Sequence, residues 1–154
     1  MKVLHGDLLA LARRGDFDVI AHGCNCFCAF GKGLALTIKR EFPAAYAADC
    51  ATTKGDASKL GTCSTARVDV DGASFTIVNA YTQFHWRKGP KPVADYDAIR
   101  KCMRWLRANY AGARVGVPRI GAGLALGDWT VISAIIDEEL AGQDVTLVEY
   151  ASSH

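Results

Sequence analysis

Two short stretches carry the residue types that could do chemistry. The first is Ala21 to Gly33, AHGCNCFCAFGKG, with His22, Asn25, three alternating cysteines and Gly31-Lys32-Gly33. The second is Gly121-Ala122-Gly123-Leu124. Glycines at a turn from strand to helix let backbone amides approach a ligand, and the following helix aims its positive end at the same place. Such a turn cradles phosphate. Two of them at the carboxyl ends of strands in one α/β sheet would frame a crevice for a diphosphate. Neither is a P-loop, because G-x-x-x-x-G-K-[ST] is absent, and neither carries the G-x-G-x-x-G dinucleotide fingerprint.

The side chains beside these turns each carry two readings. His22 is a buried strand-end histidine or a proton donor and acceptor near neutral pH. Asn25 bonds a sugar hydroxyl or ties its own turn together. Asp128 caps a helix or acts as a catalytic acid. Tyr150 packs an edge or stacks on a base. Cys24, Cys26 and Cys28 are spaced C-x-C-x-C, not the C-x-x-C of thiolate metal sites, and an extended run would put their sulfurs on one face. Cys50, Cys63 and Cys102 are scattered. They read as small buried fillers, so no metal and no cofactor is expected. A catalytic thiolate would need an activating neighbour, for which His22 is the candidate.

The elements that must position these residues follow from periodicity and turn chemistry. Strands are expected over 2–5, 17–21, 60–68, 74–81, 114–119 and 144–150, the third and fourth joined through Asp71-Gly72 as a hairpin. Asp7 suits the N-cap of a helix over 8–14, Asp95 that of a helix to Asn109, and Asp128 that of a helix bearing Trp129, Ile132, Ile136 and Leu140. A helix begins near Gly33 and Pro43 opens another piece over 44–51. Residues 52–59 and 83–92 read as loops, the latter (QFHWRKGPKP) a plausible place for binding chemistry. The order is that of an α/β domain with a mixed sheet between helical layers.

The totals narrow the function classes. The chain has 154 residues, half of them apolar, which suits a single domain with one substantial core. A formal charge of +2 gives no case for a nucleic-acid surface by itself, and Arg87-Lys88 with Lys91 reads as a solvated basic loop. No apolar run approaches the roughly 18 residues of a membrane span, and Met1-Lys2 leads directly into His5-Gly6-Asp7 without a secretory pattern. A cytoplasmic protein that does not engage a membrane is expected. Six cysteines without a leader are no disulfide framework.

Taken together, these motifs resemble the macro domain family, the three-layer α/β/α fold that binds ADP-ribose. The likeness spans nearly the whole chain: Gly6-Asp7-Leu8, Asp18-Val19-Ile20 leading to His22-Gly23-Cys24-Asn25-Cys26, Gly31-Lys32-Gly33-Leu34-Ala35, Phe42-Pro43, Leu60-Gly61, and Pro118-Arg119-Ile120-Gly121-Ala122-Gly123-Leu124 with Trp129. The resemblance implies one macro domain over 1–154, with a central mixed sheet of about six strands, acting as a monomer. It implies that Asp18 takes the adenine amino group, with Val19 or Ile20 nearby and Tyr150 against the ring. Gly31, Lys32, Gly33, Gly121, Ala122, Gly123 and Leu124 would hold the diphosphate. Asn25 would face the distal ribose, and His22 would match the histidine of the ADP-ribose 1″-phosphate phosphatase branch.

The branch that releases ADP-ribose from glutamate or nucleic-acid bases uses a lysine after the fourth strand and an aspartate after its G-x-G-L. The aligned positions here are Gln83 and Ala125, leaving Lys32 or Lys88 as substitutes and Asp128 as the acid of that loop. Three readings follow, in order. The first is a metal-independent phosphatase acting on ADP-ribose 1″-phosphate with His22, Asn25 and Asp128 as catalytic residues. The second is a glycohydrolase releasing ADP-ribose from protein or nucleic acid. The third is a binding module without turnover.

Overall fold

The computed structural model describes residues 1–86 and 92–150. Six strands form one sheet: β1 (Lys2–Gly6), β2 (Val19–Cys24), β3 (Cys63–Val70), β4 (Ala73–Tyr81), β5 (Arg114–Val117) and β6 (Asp144–Tyr150). Their order is β1-β6-β5-β2-β4-β3, and every pairing is parallel except β3 with β4. The α-helices among the described residues are α1 (Leu8–Arg13), α2 (Gly33–Glu41), α3 (Pro43–Cys50), α4 (Tyr96–Asn109) and α5 (Trp129–Glu139). Among the described residues none is long and apolar enough to cross a membrane.

Strand alternation divides the apolar residues between two cores. Ile20, Cys24, Phe75, Ile77 and Tyr81 pack with Leu8, Leu9, Ile38 and Ala45 of α1 to α3. Val19, Ala21, Val78 and Ala80, one residue out of phase, pack with Ile99, Met103, Leu106, Ile132 and Ile136 of α4 and α5. The result is the three-layer α/β/α architecture the sequence implies. Parallel central strands are buried on both faces, which is why β2 and β4 are almost uninterruptedly apolar.

Several element ends move. β2 runs to Cys24, three residues past the expected end, because His22, Gly23 and Cys24 pair in register with Asn79, Ala80 and Tyr81. β5 stops at Val117, before Pro118, which has no N–H to give a ladder. β3 starts at Cys63 rather than Leu60, since a 3-10 turn over Ala57–Lys59 and the left-handed Gly61 (φ +85°) precede it. Asp71 and Gly72 both take positive φ, 51° and 80°, as the expected two-residue hairpin turn requires. The expected helix caps are made: Asp7, Asp95 and Asp128 each accept backbone N–H groups at the starts of α1, α4 and α5.

Candidate functional site

β2 and β5 are neighbours, yet the helix after β2 packs on one face of the sheet and the helix after β5 on the other. Their loops part above the carboxyl ends of the strands, the place where an open α/β sheet leaves a crevice. A cavity of about 770 Å³ occupies it, lined by Gly31, Lys32 and Gly33 on one side and Gly121, Gly123 and Leu124 on the other.

Backbone geometry equips this crevice for an anion. Lys32, at the N-cap of α2, makes no side-chain capping bond, and Gly33, Leu34 and Ala35 of the first turn line the cavity. The N–H groups of a helix's first turn have no partner within the helix, and they carry the positive end of its dipole. Gly33 is left-handed (φ +60°), and an added Cβ there would come into ordinary contact with Leu124 Cδ1 across the gap, at 3.5 Å. Gly31 and Gly123 differ: neither has positive φ and neither has a heavy atom within 4 Å of an added Cβ. The fold does not need glycine at these two positions, and a close ligand would.

At the floor of the crevice lies a buried polar network, and His22 is among the lining residues. His22 is 3% exposed, with its ring against the edge of Phe30 and Nε2 2.7 Å from Asn79 Oδ1. Asn79 donates in turn to Ala45 O and Ser64 Oγ. Burial pulls the imidazole pKa down to about 4, against a smaller upward effect of the Asn79 bond. Lys59 is buried as well: its Nζ donates to Cys26 O at 3.3 Å and lies 4.6 Å from the centre of the Tyr81 ring. The Tyr81 hydroxyl donates to Asp49 Oδ1 at 2.7 Å, and burial raises the Asp49 carboxyl.

The sequence-predicted residues distribute unevenly. The two glycine turns come together as expected. Asn25 lines the crevice, but its Oδ1 accepts from Phe27 and Ala29 N–H and its Nδ2 donates to Ala29 O, so it chiefly builds its own turn. Asp128 caps α5 through Thr130 N–H at 2.9 Å and is outside the crevice lining. The cysteine sulfurs do not share a face, because Cys28 turns left-handed (φ 57°). The Cys26 thiol points to Gln83 O and the Cys28 thiol to Asp49 O. Among the described residues no group of three or more His, Cys, Asp or Glu is placed to hold a metal. Lys88 and the Arg87–Lys91 basic cluster lie outside the described residues.

The placement of Asp18 corrects the expectation most. It precedes the six-residue β2 at its amino end, the end away from the crevice, and its carboxylate clasps Arg114 at 2.9 and 3.1 Å. Val19 and Ile20, which follow it, are buried in opposite cores. None of the three reaches the crevice. Asp7, immediately after Gly6, stands at the carboxyl edge, where Gly6 pairs with Tyr150 at the end of β6; neither Asp7 nor Tyr150 is in the crevice lining. Tyr150 is 77% exposed there. Asp7 was visible in the sequence as a cap, and its edge position could be read only once β1 was placed beside β6. Gln83, which is in the lining, follows β4 and donates its Nε2 to His85 O.

No family model matches the sequence. The chain is 34% identical over 157 residues to an uncharacterized 17.5 kDa protein of Enterobacteria phage T4, covering 97% of this chain and 96% of that one. It is 33% identical over 128 residues to a DNA ADP-ribosyl glycohydrolase of Mycobacterium tuberculosis, covering 80% of this chain but 34% of that protein's length. Over 65 residues, 39% of this chain and 36% of the relative, it is 38% identical to an ADP-ribose 1″-phosphate phosphatase of Debaryomyces hansenii. Among solved structures, the macrodomain of Mycobacterium tuberculosis DarG superposes with a TM-score of 0.70 at 28% identity, covering 98% of both chains. With that fold over its full length, and with paired glycine turns above β2 and β5, the chain belongs to the macro domain family.

Proposed function

We propose that the crevice holds ADP-ribose and that the chain hydrolyses the bond at the anomeric carbon of the distal ribose, releasing ADP-ribose from a conjugate. The observation that carries this reading is the open first turn of α2 facing Gly121–Leu124 across a cavity of about 770 Å³. The diphosphate lies between the two turns. The adenosine end then points along the sheet edge to Asp7 and Tyr150, and the distal ribose to Asn25 and Gln83 beside β4.

In this reaction water adds to the ribose carbon, the bond to the leaving group breaks, and the water's second proton leaves with that group. Gln83 lines the crevice with its Nε2 donating to His85 O, and its amide oxygen would orient the attacking water. Burial lowers the His22 imidazole pKa to about 4, so the ring is not the proton donor to the leaving group near pH 7. The likeness to the glycohydrolase over 80% of this chain favours the glycohydrolase reading over the phosphatase one. The phosphatase reading retains one observation, the short but more identical match to the yeast enzyme.

A panel of an ADP-ribosylated oligonucleotide, a mono-ADP-ribosylated peptide and ADP-ribose 1″-phosphate separates the two. Release of free ADP-ribose from either conjugate, measured by mass spectrometry, is expected. Phosphate release from ADP-ribose 1″-phosphate, with both conjugates untouched, would establish the phosphatase instead.

A further inference from the structure

Among the described residues that line the crevice, the side chains that carry charge are Lys32 and Arg119, and both are cationic. Lys32 stands at the N-cap of α2, beside the turn that serves the diphosphate. Arg119 is placed elsewhere. It follows β5, and its guanidinium is turned to β6, where Nε donates to Glu149 Oε1 at 2.8 Å and Nη2 donates to the same oxygen. Its carbonyl accepts from Ala122 N–H, which fixes its backbone in the glycine turn. Its Cζ lies 5.7 Å from the centre of the Trp129 ring. The Arg119 side chain is 52% exposed and that of Glu149 25%, so the arginine is the outer partner.

An ion pair this exposed adds little to stability, so the fold does not account for a cation held at the crevice. The guanidinium has one fork left. Glu149 takes the Nε–Nη2 edge, and Nη1 makes no hydrogen bond among the described residues. The Nη1–Nη2 edge matches the paired oxygens of a phosphate. The diphosphate does not need it, because the first turn of α2 and Lys32 already face that group. Sheet order says what lies nearer. β6 separates β5 from β1, and Glu149 immediately precedes Tyr150 in β6. With the diphosphate over β2 and β5 and the base at Asp7 and Tyr150, Arg119 stands beside the ribose that joins them. The 2′ carbon of that sugar adjoins the carbon bearing the base, on the β6 side. Dinucleotide sites place an acid at a free 2′-hydroxyl or an arginine at a 2′-phosphate. This chain has both in one pair.

We infer that Arg119 is the recognition residue for a phosphate on the 2′-hydroxyl of the adenosine ribose, so that the crevice prefers ADP-ribose 2′-phosphate to ADP-ribose. This rests on the proposed ADP-ribose site and names the ligand class that site takes. Glu149 holds the guanidinium in place when the ribose is unmodified. A 2′-phosphate takes the free fork, and Arg119 then stands between two anions.

The test is calorimetry of ADP-ribose and of ADP-ribose 2′-phosphate with wild type and Arg119→Gln. Wild type should hold the 2′-phosphate form roughly tenfold tighter, the usual scale of one hydrogen-bonded contact to a charged group. Arg119→Gln should abolish that advantage and leave affinity for ADP-ribose unchanged, which also shows that the variant is folded. A preference that survives in Arg119→Gln overturns the inference. So does equal or weaker binding of the 2′-phosphate form by wild type, and with ADP-ribose still bound the proposed site stands without it. If wild type binds neither compound, the proposed site fails and this inference fails with it.

Discussion

His22 gives its Nε2 proton to Asn79 Oδ1 at 2.7 Å, and the direction of that bond fixes what the imidazole can do. Asn79 Nδ2 faces Ala45 O, which only accepts, so Oδ1 is the atom turned to His22 and Nε2 must be the donor. Burial lowers the imidazole pKa to about 4, and Nδ1 lies 3.7 Å from the Cys24 thiol. His22 lines the crevice and at the same time joins β2 to β4 and, through Asn79, to α3.

A pH dependence of stability follows. The unfolded chain takes up a proton at His22 near pH 6.5 and the folded chain near 4, so between these values the unfolded state binds more protons. Stability therefore falls as pH drops from 6.5 to 4, by about 3 kcal/mol for a shift of that size. His22→Gln keeps a donor for Asn79 but cannot become charged. Thermal melts from pH 7 to 4.5 should show a smaller acid loss in the variant than in wild type. Turnover of the variant should stay within a few-fold of wild type, since no proton passes through this ring.

Gly123 separates ligand approach from folding. An added Cβ meets nothing within 4 Å and φ is not left-handed, so Gly123→Val should melt within about 0.5 kcal/mol of wild type. Its isopropyl group would stand where the diphosphate must pass, and ADP-ribose affinity should fall at least tenfold by calorimetry. Gly116→Ala is the opposite control. Its Cβ would come 2.8 Å from the Phe17 ring and 2.9 Å from Leu8 Cδ1, costing about 1–3 kcal/mol of stability.

The two aspartates should differ in their effect on ADP-ribose binding. Asp18→Asn breaks a half-exposed pair with Arg114, worth at most about 1 kcal/mol, and should leave ADP-ribose affinity unchanged. Asp7→Ala removes the cap of α1, about 1 kcal/mol, and should also weaken ADP-ribose binding because it stands at the edge where adenosine is placed. Titration of both variants, with melts alongside, checks the pair. Weaker binding by Asp18→Asn alone would return the adenine contact to the amino end of β2.

These corrections show what local patterning can carry. The caps, the Asp71-Gly72 turn and the two glycine turns are local, each decided by a few adjacent residues, and all were legible. Asp18 and Asp7 each stand beside a strand, and only strand order and direction say which end of the sheet each occupies. The end of β2 was misplaced because His22, Gly23 and Cys24 look like turn residues. They are held in the strand by β4, fifty-seven residues away in each register pair. The role of His22 depends on Asn79, and no spacing rule connects them. The packing of Phe84 and His85 likewise depends on Phe27, from the phosphate turn.

Lys59 offers the test of how the phosphate turn is held. Its ammonium is buried against Cys26 O and the Tyr81 ring, with Asp49 supplying the nearby negative charge. Lys59→Met preserves the apolar stem but leaves Asp49 without that compensation, and an uncompensated buried charge is costly. The single variant should lose about 2–4 kcal/mol by denaturant unfolding. Asp49→Asn removes the charge while keeping an acceptor for the Tyr81 hydroxyl, so Lys59→Met/Asp49→Asn should be less destabilised than the sum of the two single changes, by at least about 1 kcal/mol. Because Cys26 O also accepts from Gly55 N–H at 2.7 Å, the turn keeps one anchor in every variant. ADP-ribose affinity in the double variant should then lie within a few-fold of wild type. Simple additivity in the cycle would mean that Lys59 and Asp49 do not act on each other, and that the ammonium is retained only for its bond to the turn.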